Sequence, residues 1–267
     1  PDPLAFRPAP TNWADPGAQD SHEHSHQVVP AQLYLPEPVY IRFRVDVAQQ
    51  SFTNLKALPI DALGNPTVAS PRYMPPSTRY VYNAGDAPTD ACPPKFPFPL
   101  IHARYGYPIL ARFENHLHEN PCYFDRQDFG DPGFAFLTHL HNAHTAAESD
   151  GNPNHAPEGY HPCEFVDNLY LNYPPGNDDN EKQSFLWFHD HKEFHTGANV
   201  YKGLAGLYII YDPKLDPGDE RSNGIDGKAL HLPGVPVGTG DPYKPKRVEY
   251  DVPLFITDYA FDDGVTP

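Results

Sequence analysis

Proline occupies 34 of the 267 positions and glycine another 19. About a fifth of the chain therefore resists helix propagation, and long helices are not expected. What remains open is short extended segments joined by turns. The 16 Phe, 17 Tyr and 2 Trp supply bulky core material despite a hydrophobic fraction of 39%. That aromatic content separates the chain from a disordered Pro-rich segment. The length suffices for one large domain or two small ones with a buried core. No apolar run approaches the roughly 20 residues that span a bilayer, so no membrane span is expected. Thirty-five acidic against 19 basic residues, a formal charge of −16, disfavour nucleic acid or anionic lipid as a partner.

The chain opens Pro1-Asp2-Pro3, with no initiator Met and no apolar leader, which reads as a processed or trimmed start. Residues 1–38 are rich in Pro, Ala, Asp and His without sustained period and are expected to form an extended arm. From Tyr40 to Val47, Ile41, Phe43, Val45 and Val47 alternate with Arg42, Arg44 and Asp46, the period of a strand with one wet face. Residues 57–99 read as a long irregular connection with a short strand at Tyr80–Tyr82. Further strands are expected at Tyr107–Glu114, Phe134–His141, Ser184–His191, Leu204–Tyr211 and Val252–Asp258, with one helical turn near His195–Tyr201. Short strands separated by Gly/Pro/Asn/Asp loops predict an all-β antiparallel sandwich or barrel. Residues 39–211 form that domain, 212–247 read as a linker, and 248–267 carry a lone strand. Such a strand either returns to the first sheet or opens another domain. Cys92, Cys122 and Cys163 form no Cys-x-x-Cys pair, which disfavours zinc-finger and thioredoxin-like chemistry. One disulfide plus one thiol is compatible with the count, and the sequence does not choose the pair.

Fifteen histidines are the chemical anomaly. Histidines at i and i+2 on a strand share a face, roughly 7 Å apart. Such pairs occur at His22/His24/His26, His116/His118, His139/His141 and His189/His191. The triplet sits in the polar arm and reads as a solvated segment; His116/His118 precedes Asn120-Pro121, a turn signal. The other two pairs each end an apolar run, Phe134-Ala135-Phe136-Leu137 and Phe185-Leu186-Trp187-Phe188. Two buried strands ending this way are expected to place four neutral imidazoles around one polar pocket. Without a ligand, each stranded ring nitrogen there would cost about 1–3 kcal/mol. Imidazole-only sites suit Cu, Zn, Fe or Ni, and the scarcity of carboxylates argues against Ca or Mg.

Leu137-Thr138-His139-Leu140-His141 followed by Glu148-Ser149-Asp150-Gly151 resembles the first copper motif of multicopper oxidases. Trp187-Phe188-His189-Asp190-His191 leading into Asn199-Val200-Tyr201-Lys202-Gly203-Leu204-Ala205-Gly206-Leu207-Tyr208 resembles their second. The likeness is to the spore-coat laccase and bilirubin oxidase branch, over residues 100–267, and includes Tyr250–Asp258, similar to the strand that opens that family's second domain. The resemblance implies a cupredoxin-like Greek-key β-sandwich, the N-terminal portion of such an oxidase. It implies His139 as a type 2 copper ligand, His141 and His189 as ligands of one type 3 copper, and His191 as a ligand of the other. It implies Asp150 as an acid in proton delivery during O2 reduction to water. Asp190, between two ligands, is expected to be structural. Asn142 stands where the family has Gly, and Lys192-Glu193-Phe194-His195 is more polar than the family's sequence there. His144 and His195 are expected not to be ligands.

Half of the implied trinuclear ligand set is missing: His-Pro-x-His-x-His and His-Cys-His do not occur. A type 1 copper needs two His, one Cys and a weak axial ligand, and the one Met, Met74, lies in a Pro-rich loop. The type 1 copper is therefore expected in C-terminal cupredoxin domains, or a second chain, outside these residues. The reducing substrate implied by the family is a phenol, a pigment or a metal ion, and the implied location is secreted or periplasmic. Two rivals remain: a non-enzymatic copper-binding or buffering module, and a dinuclear copper site on helices, which the Pro-rich β pattern opposes.

Overall fold

The computed structural model describes residues 39–50, 56–58, 61, 63, 65–73, 77–84, 99–117, 133–172, 186–211, 236–237, 247–248 and 252–259. The N-terminal arm with His22, His24 and His26, and also His118, Cys92, Cys122, Met74 and most of the expected linker, lie outside them. The strands are β1 (Val39–Gln50), β2 (Lys56–Ala57), β3 (Arg72–Tyr73), β4 (Ser77–Ala84), β5 (Leu100–Arg104), β6 (Ile109–Asn115), β7 (Thr138–His141), β8 (Phe165–Tyr170), β9 (Leu186–Asp190), β10 (Ala205–Tyr211), β11 (Pro236–Val237) and β12 (Arg247–Val248). The described residues contain one α-helix, α1 (Thr196–Lys202), and a 3-10 turn at Ala147–Ser149. No described helix is long and apolar enough to cross a membrane.

Two four-stranded sheets, ordered β4-β1-β6-β8 and β5-β10-β9-β7, form a sandwich of the cupredoxin-like kind. The sheets are mixed, not purely antiparallel as the strand pattern suggested. β1 pairs β6 in parallel, and β10 pairs β5 in parallel. Parallel neighbours need long crossovers, and the connections between these strands are long enough to make them.

The alternation in β1 is realised. Phe43, Val45 and Val47 are buried in the core, while Arg42 on the other face donates from Nη2 to Glu114 Oε2 at 2.6 Å. Next to it, Arg112 pairs bidentately with Asp167 on the adjacent strand, Nε to Oδ1 at 2.8 Å and Nη2 to Oδ2 at 2.9 Å. The outer face of the first sheet is thus a charged ladder, and the inner face is aromatic.

Phe188 of β9 joins the two sheets. Its ring lies 5.8 Å from Phe43, 5.1 Å from Tyr82 and 6.1 Å from Phe113, and it is fully buried. Burying such a ring contributes about 1.5–3 kcal/mol, with edge and offset contacts adding to that. Space for it comes from Gly206, directly opposite on β10. A Cβ at Gly206 would sit 2.3 Å from Phe188 Cζ.

Three expectations change. β5 and β8 were not anticipated, because Leu100–Arg104 and Phe165–Tyr170 mix charged and apolar residues under different neighbours. The expected strand over Phe134–His141 shrinks to Thr138–His141, preceded by a buried lead-in bridged at Phe136 and Tyr160. Val252–Asp258 forms no strand, since nothing among the described residues pairs with its backbone. The helical turn near His195–Tyr201 is α1, closed at Gly203 (φ 133°).

Substituting Gly206 with Ala should overpack Phe188 and lower stability by about 1–3 kcal/mol. Gly197→Ala, in α1 with nothing within 4 Å of the added Cβ, should be neutral or stabilising by up to about 1 kcal/mol. Urea midpoints of the two variants check this, and equal midpoints would contradict the packing.

Candidate metal centre

β7 and β9 pair antiparallel with His139 opposite His189 and His141 opposite Trp187. Period-two alternation sends Leu140 and Phe188 into the core and these four residues to the outward face of the second sheet. His191 follows the end of β9, its N–H donating to Leu137 O at 2.6 Å. Ring centroids of His141, His189 and His191 lie 5.6, 5.5 and 5.2 Å from that of His139. One donor atom from each of His139, His141 and His189 falls within 4.8 Å of the others. The four rings expected to converge are therefore brought together, His191 beside the tighter group of three. They lie on a sheet face with His141 exposed, not in the enclosed pocket that burial of both strands predicted. His189 is the most buried of them, at 6% exposure.

Hydrogen bonds orient the rings. His139 Nδ1 lies 2.5 Å from the Asp150 carbonyl, and His189 Nδ1 lies 2.6 Å from the Asp190 carbonyl. A ring that donates from Nδ1 presents Nε2 as a lone pair. His141 differs: its Nδ1 faces His189 Nε2 at 3.2 Å. Two donors with roughly 2.0–2.1 Å bonds to one ion are separated by about this much. His191 Nδ1 is buried and meets no hydrogen-bond partner among the described residues, a penalty that ligation removes. The donor set, all imidazole, fits a late first-row metal ion.

Asp150 reaches the cluster through backbone closeness. Gly151 follows it at φ 68°, and a Cβ there would lie 2.0 Å from Thr138 O, so only glycine lets the two chains touch. The Asp150 carboxylate accepts from Thr145 Oγ1 at 2.6 Å and lies 3.2 Å from His139 Nδ1. Burial alone would raise its pKa, but the hydrogen bonds from His139 and Thr145, with the nearby His191 ring, hold it below the ordinary carboxylate value. His139 is raised: burial pushes it down, and the Asp150 hydrogen bond and charge outweigh that. Burial and the neighbouring imidazoles lower His189 to about 4, against the Asp190 carbonyl bond.

Asp190 is structural, and fully buried. Oδ1 accepts from Leu137 N at 2.9 Å, and Oδ2 accepts from Lys192 N at 3.0 Å and Asn199 Nδ2 at 3.2 Å. One carboxylate thus ties the start of β7, the end of β9 and α1 together. Asn142 occupies φ 67°, the left-handed region where Asn is the best tolerated side chain after Gly, which explains the departure noted there. In the polar turn after His191, Phe194 is 94% exposed at φ 61°. His144 and His195 stand outside the three-donor group, and His116 directly follows β6, 3.3 Å from Glu114 Oε2.

Two site residues escaped the sequence reading. Trp187 lies 4.2 Å from the His189 ring and 5.5 Å from that of His141; its place two residues before His189 was the available signal. Thr145 had none, because its contact depends on how the loop to Gly151 closes.

No protein-family model matches the chain. It is similar to a laccase of Bacillus subtilis strain 168, 26% identical over 201 residues covering 72% of this chain and 32% of that protein. A laccase of Bacillus stratosphericus is 28% identical over 205 residues, with the same shares. Bilirubin oxidase of Albifimbria verrucaria is 32% identical over 119 residues, 45% of this chain and 15% of that one. The chain spans about a third of the length of the laccases it matches. A solved multicopper oxidase from Aquifex aeolicus aligns with a TM-score of 0.37 at 19% identity, over 67% of this chain and 29% of that one. The sandwich carries a histidine cluster of metal-binding form. By sequence, the chain is related to multicopper oxidases and laccases at low identity and over part of its length.

Protons compete with a metal at His139 before they do so at His189. Metal affinity should therefore fall as pH drops through the raised His139 pKa, while His189 stays neutral to about pH 4. Asp150→Asn removes the carboxylate that raises His139 and should move this fall to lower pH. Zn(II) titration calorimetry across the range checks it; overlaid curves would disprove the coupling. In the metal-free chain, unfolded His189 gains a proton near its ordinary 6.5 and the folded residue only near 4. The unfolded state then binds more protons, so the His189 contribution to stability is lost as pH falls across that window.

Proposed function

We propose that this chain is the N-terminal part of a multicopper oxidase, supplying half of the ligands of a trinuclear copper cluster. The whole enzyme couples one-electron oxidation of a reducing substrate to four-electron reduction of O2 to water. The observation that carries the reading is the convergence of His139, His141 and His189 within 4.8 Å, with His191 alongside, in a relative of multicopper oxidases. Copper, when bound, supplies one-electron redox chemistry at imidazole nitrogens.

His139 would hold the type 2 ion, His141 and His189 one type 3 ion, and His191 the other. The carbonyls of Asp150 and Asp190 fix the tautomers of His139 and His189, the role that groups around a metal site commonly play. Asp150, kept ionised by Thr145 and His139, accepts and returns protons at the edge of the cluster. The open face by exposed His141 leaves room for complementary histidines from C-terminal cupredoxin domains or a second chain, which would also hold the type 1 copper. Residues 248–267 belong to the opening of that second domain, after a linker over 212–247. Val252, Leu254 and Ile256 are 70–90% exposed, apolar side chains that the rest of such a domain would cover. The reductant is a phenol, a pigment or a metal ion, and the setting is secreted or periplasmic.

The test isolates the polypeptide at its natural length, establishes its intact mass, and measures O2 uptake with a phenol as reductant. Turnover is expected, and His139→Ala should reduce it about a hundredfold or more with loss of the type 2 EPR signal. An unchanged type 2 signal would overturn the assignment. Copper binding without turnover at natural length would instead leave a buffering module.

A further inference from the structure

The segment Val252–Tyr259 belongs to no sheet, and aromatic side chains at two of its positions, Phe255 and Tyr259, contact the sandwich. At one end the Tyr259 ring lies 3.8 Å beneath the Arg79 guanidinium and 5.2 Å from Tyr201 of α1. Arg79 is itself buried, donating to Gln50 Oε1 at 3.0 Å and to the Tyr201 carbonyl at 3.2 Å. Four residues back, Phe255 lies 6.4 Å from Trp187, with 53° between the ring planes. That separation is within the range of productive aromatic pairs. Val252, Leu254 and Ile256 face the other way, so the period-two pattern of the segment turns Phe255 specifically toward the sheet.

Trp187 is the residue through which this contact matters. It lies against both His189 and His141, at 4.2 and 5.5 Å, and shares their outward-facing side of β9 and β7. Being outward, it makes no ring contact among the described residues with the aromatic core that locks Phe188. Leu207, its cross-strand neighbour on that face, is only 6% exposed, so this part of the sheet is covered. An indole braced on one face by packing restricts the ring rotations of the imidazoles it touches, and donors held in place bind a metal more tightly than donors that must be ordered.

We infer that Phe255 is a positioning residue for the metal site: with Tyr259 as its anchor, it braces Trp187 against His141 and His189. The inference rests on the metal-site reading above. The segment therefore works from a part of the chain more than sixty residues beyond the ligands, and couples order in that segment to metal affinity.

The experiment uses the 267-residue chain with Trp13→Phe, which leaves Trp187 as the sole indole. Cu(II) alone is titrated against Trp187 fluorescence, and the bound ion is examined by EPR. Phe255→Ala should weaken Cu(II) binding about tenfold, as loss of a supporting group commonly does, and should alter the copper hyperfine pattern. Phe255→Tyr should restore both. Leu254→Ala, on the opposite side of the same segment at 73% exposure, should leave both unchanged. Equal behaviour of the Phe255→Ala and Leu254→Ala variants, with the parent binding Cu(II), would overturn the brace alone. A parent that binds no Cu(II) would overturn the metal-site reading and the brace with it.

Discussion

The orientation of the whole histidine cluster depends on where Phe188 goes. Its ring is enclosed by Phe43, Tyr82 and Phe113 of the opposite sheet, over the bare Cα of Gly206. In a strand, a residue committed to the core commits both neighbours to the other side. Trp187 and His189 are therefore outward because Phe188 is inward. Leu140, 1% exposed, does the same for His139 and His141. A one-residue slip would bury imidazoles and expose phenylalanine, so the hydrophobic effect that builds the core also sets the register of the donors. Stability and site geometry share one determinant.

Around that register, backbone carbonyls and one buried carboxylate finish the arrangement. Asp190 gathers the N–H groups of Leu137 and Lys192 and the amide of Asn199. It holds the lead-in to β7 and the exit from β9 at a common point. Its own carbonyl turns His189, as the carbonyl of Asp150 turns His139. A neutral imidazole has two inequivalent nitrogens, and which one faces a metal is settled by what the other touches. The charges respond to the same contacts: His139 is drawn upward by Asp150, while His189, buried beside other rings, is pushed down. Two residues of the same type, directly opposite one another, thus hold their protons over different pH ranges.

Much of this was legible in the chain. The β class followed from proline and glycine frequency, and the strand carrying Phe43, Val45 and Val47 from its alternation. The two His-x-His pairs stood out because each closes an apolar run. The left-handed conformation at Asn142 also has a readable cause, since Asn is the side chain that tolerates it. The misreadings have physical origins as well. Parallel pairing of β1 with β6 leaves no local trace, because hydrophobic alternation is the same whichever direction the neighbour runs. β5 and β8 carry polar residues that a partner strand satisfies, as Asp167 does with Arg112, and single-strand patterns do not reveal the partner. Val252–Asp258 reads as a strand by composition, yet strand structure requires an edge to pair with.

By itself the sequence determined which residues could be donors and that each pair shares a face, because an i, i+2 relation on a strand is local geometry. Tertiary structure alone decided that His141 Nδ1 meets His189 Nε2 across 48 residues of chain, and that Asp150 arrives at His139 by way of Gly151. It also decided that Phe255 comes to rest on Trp187. These contacts are made by segments far apart in the chain, and their meeting depends on how both sheets pack about Phe188. No local periodicity encodes that distance, so no reading of spacing could supply it.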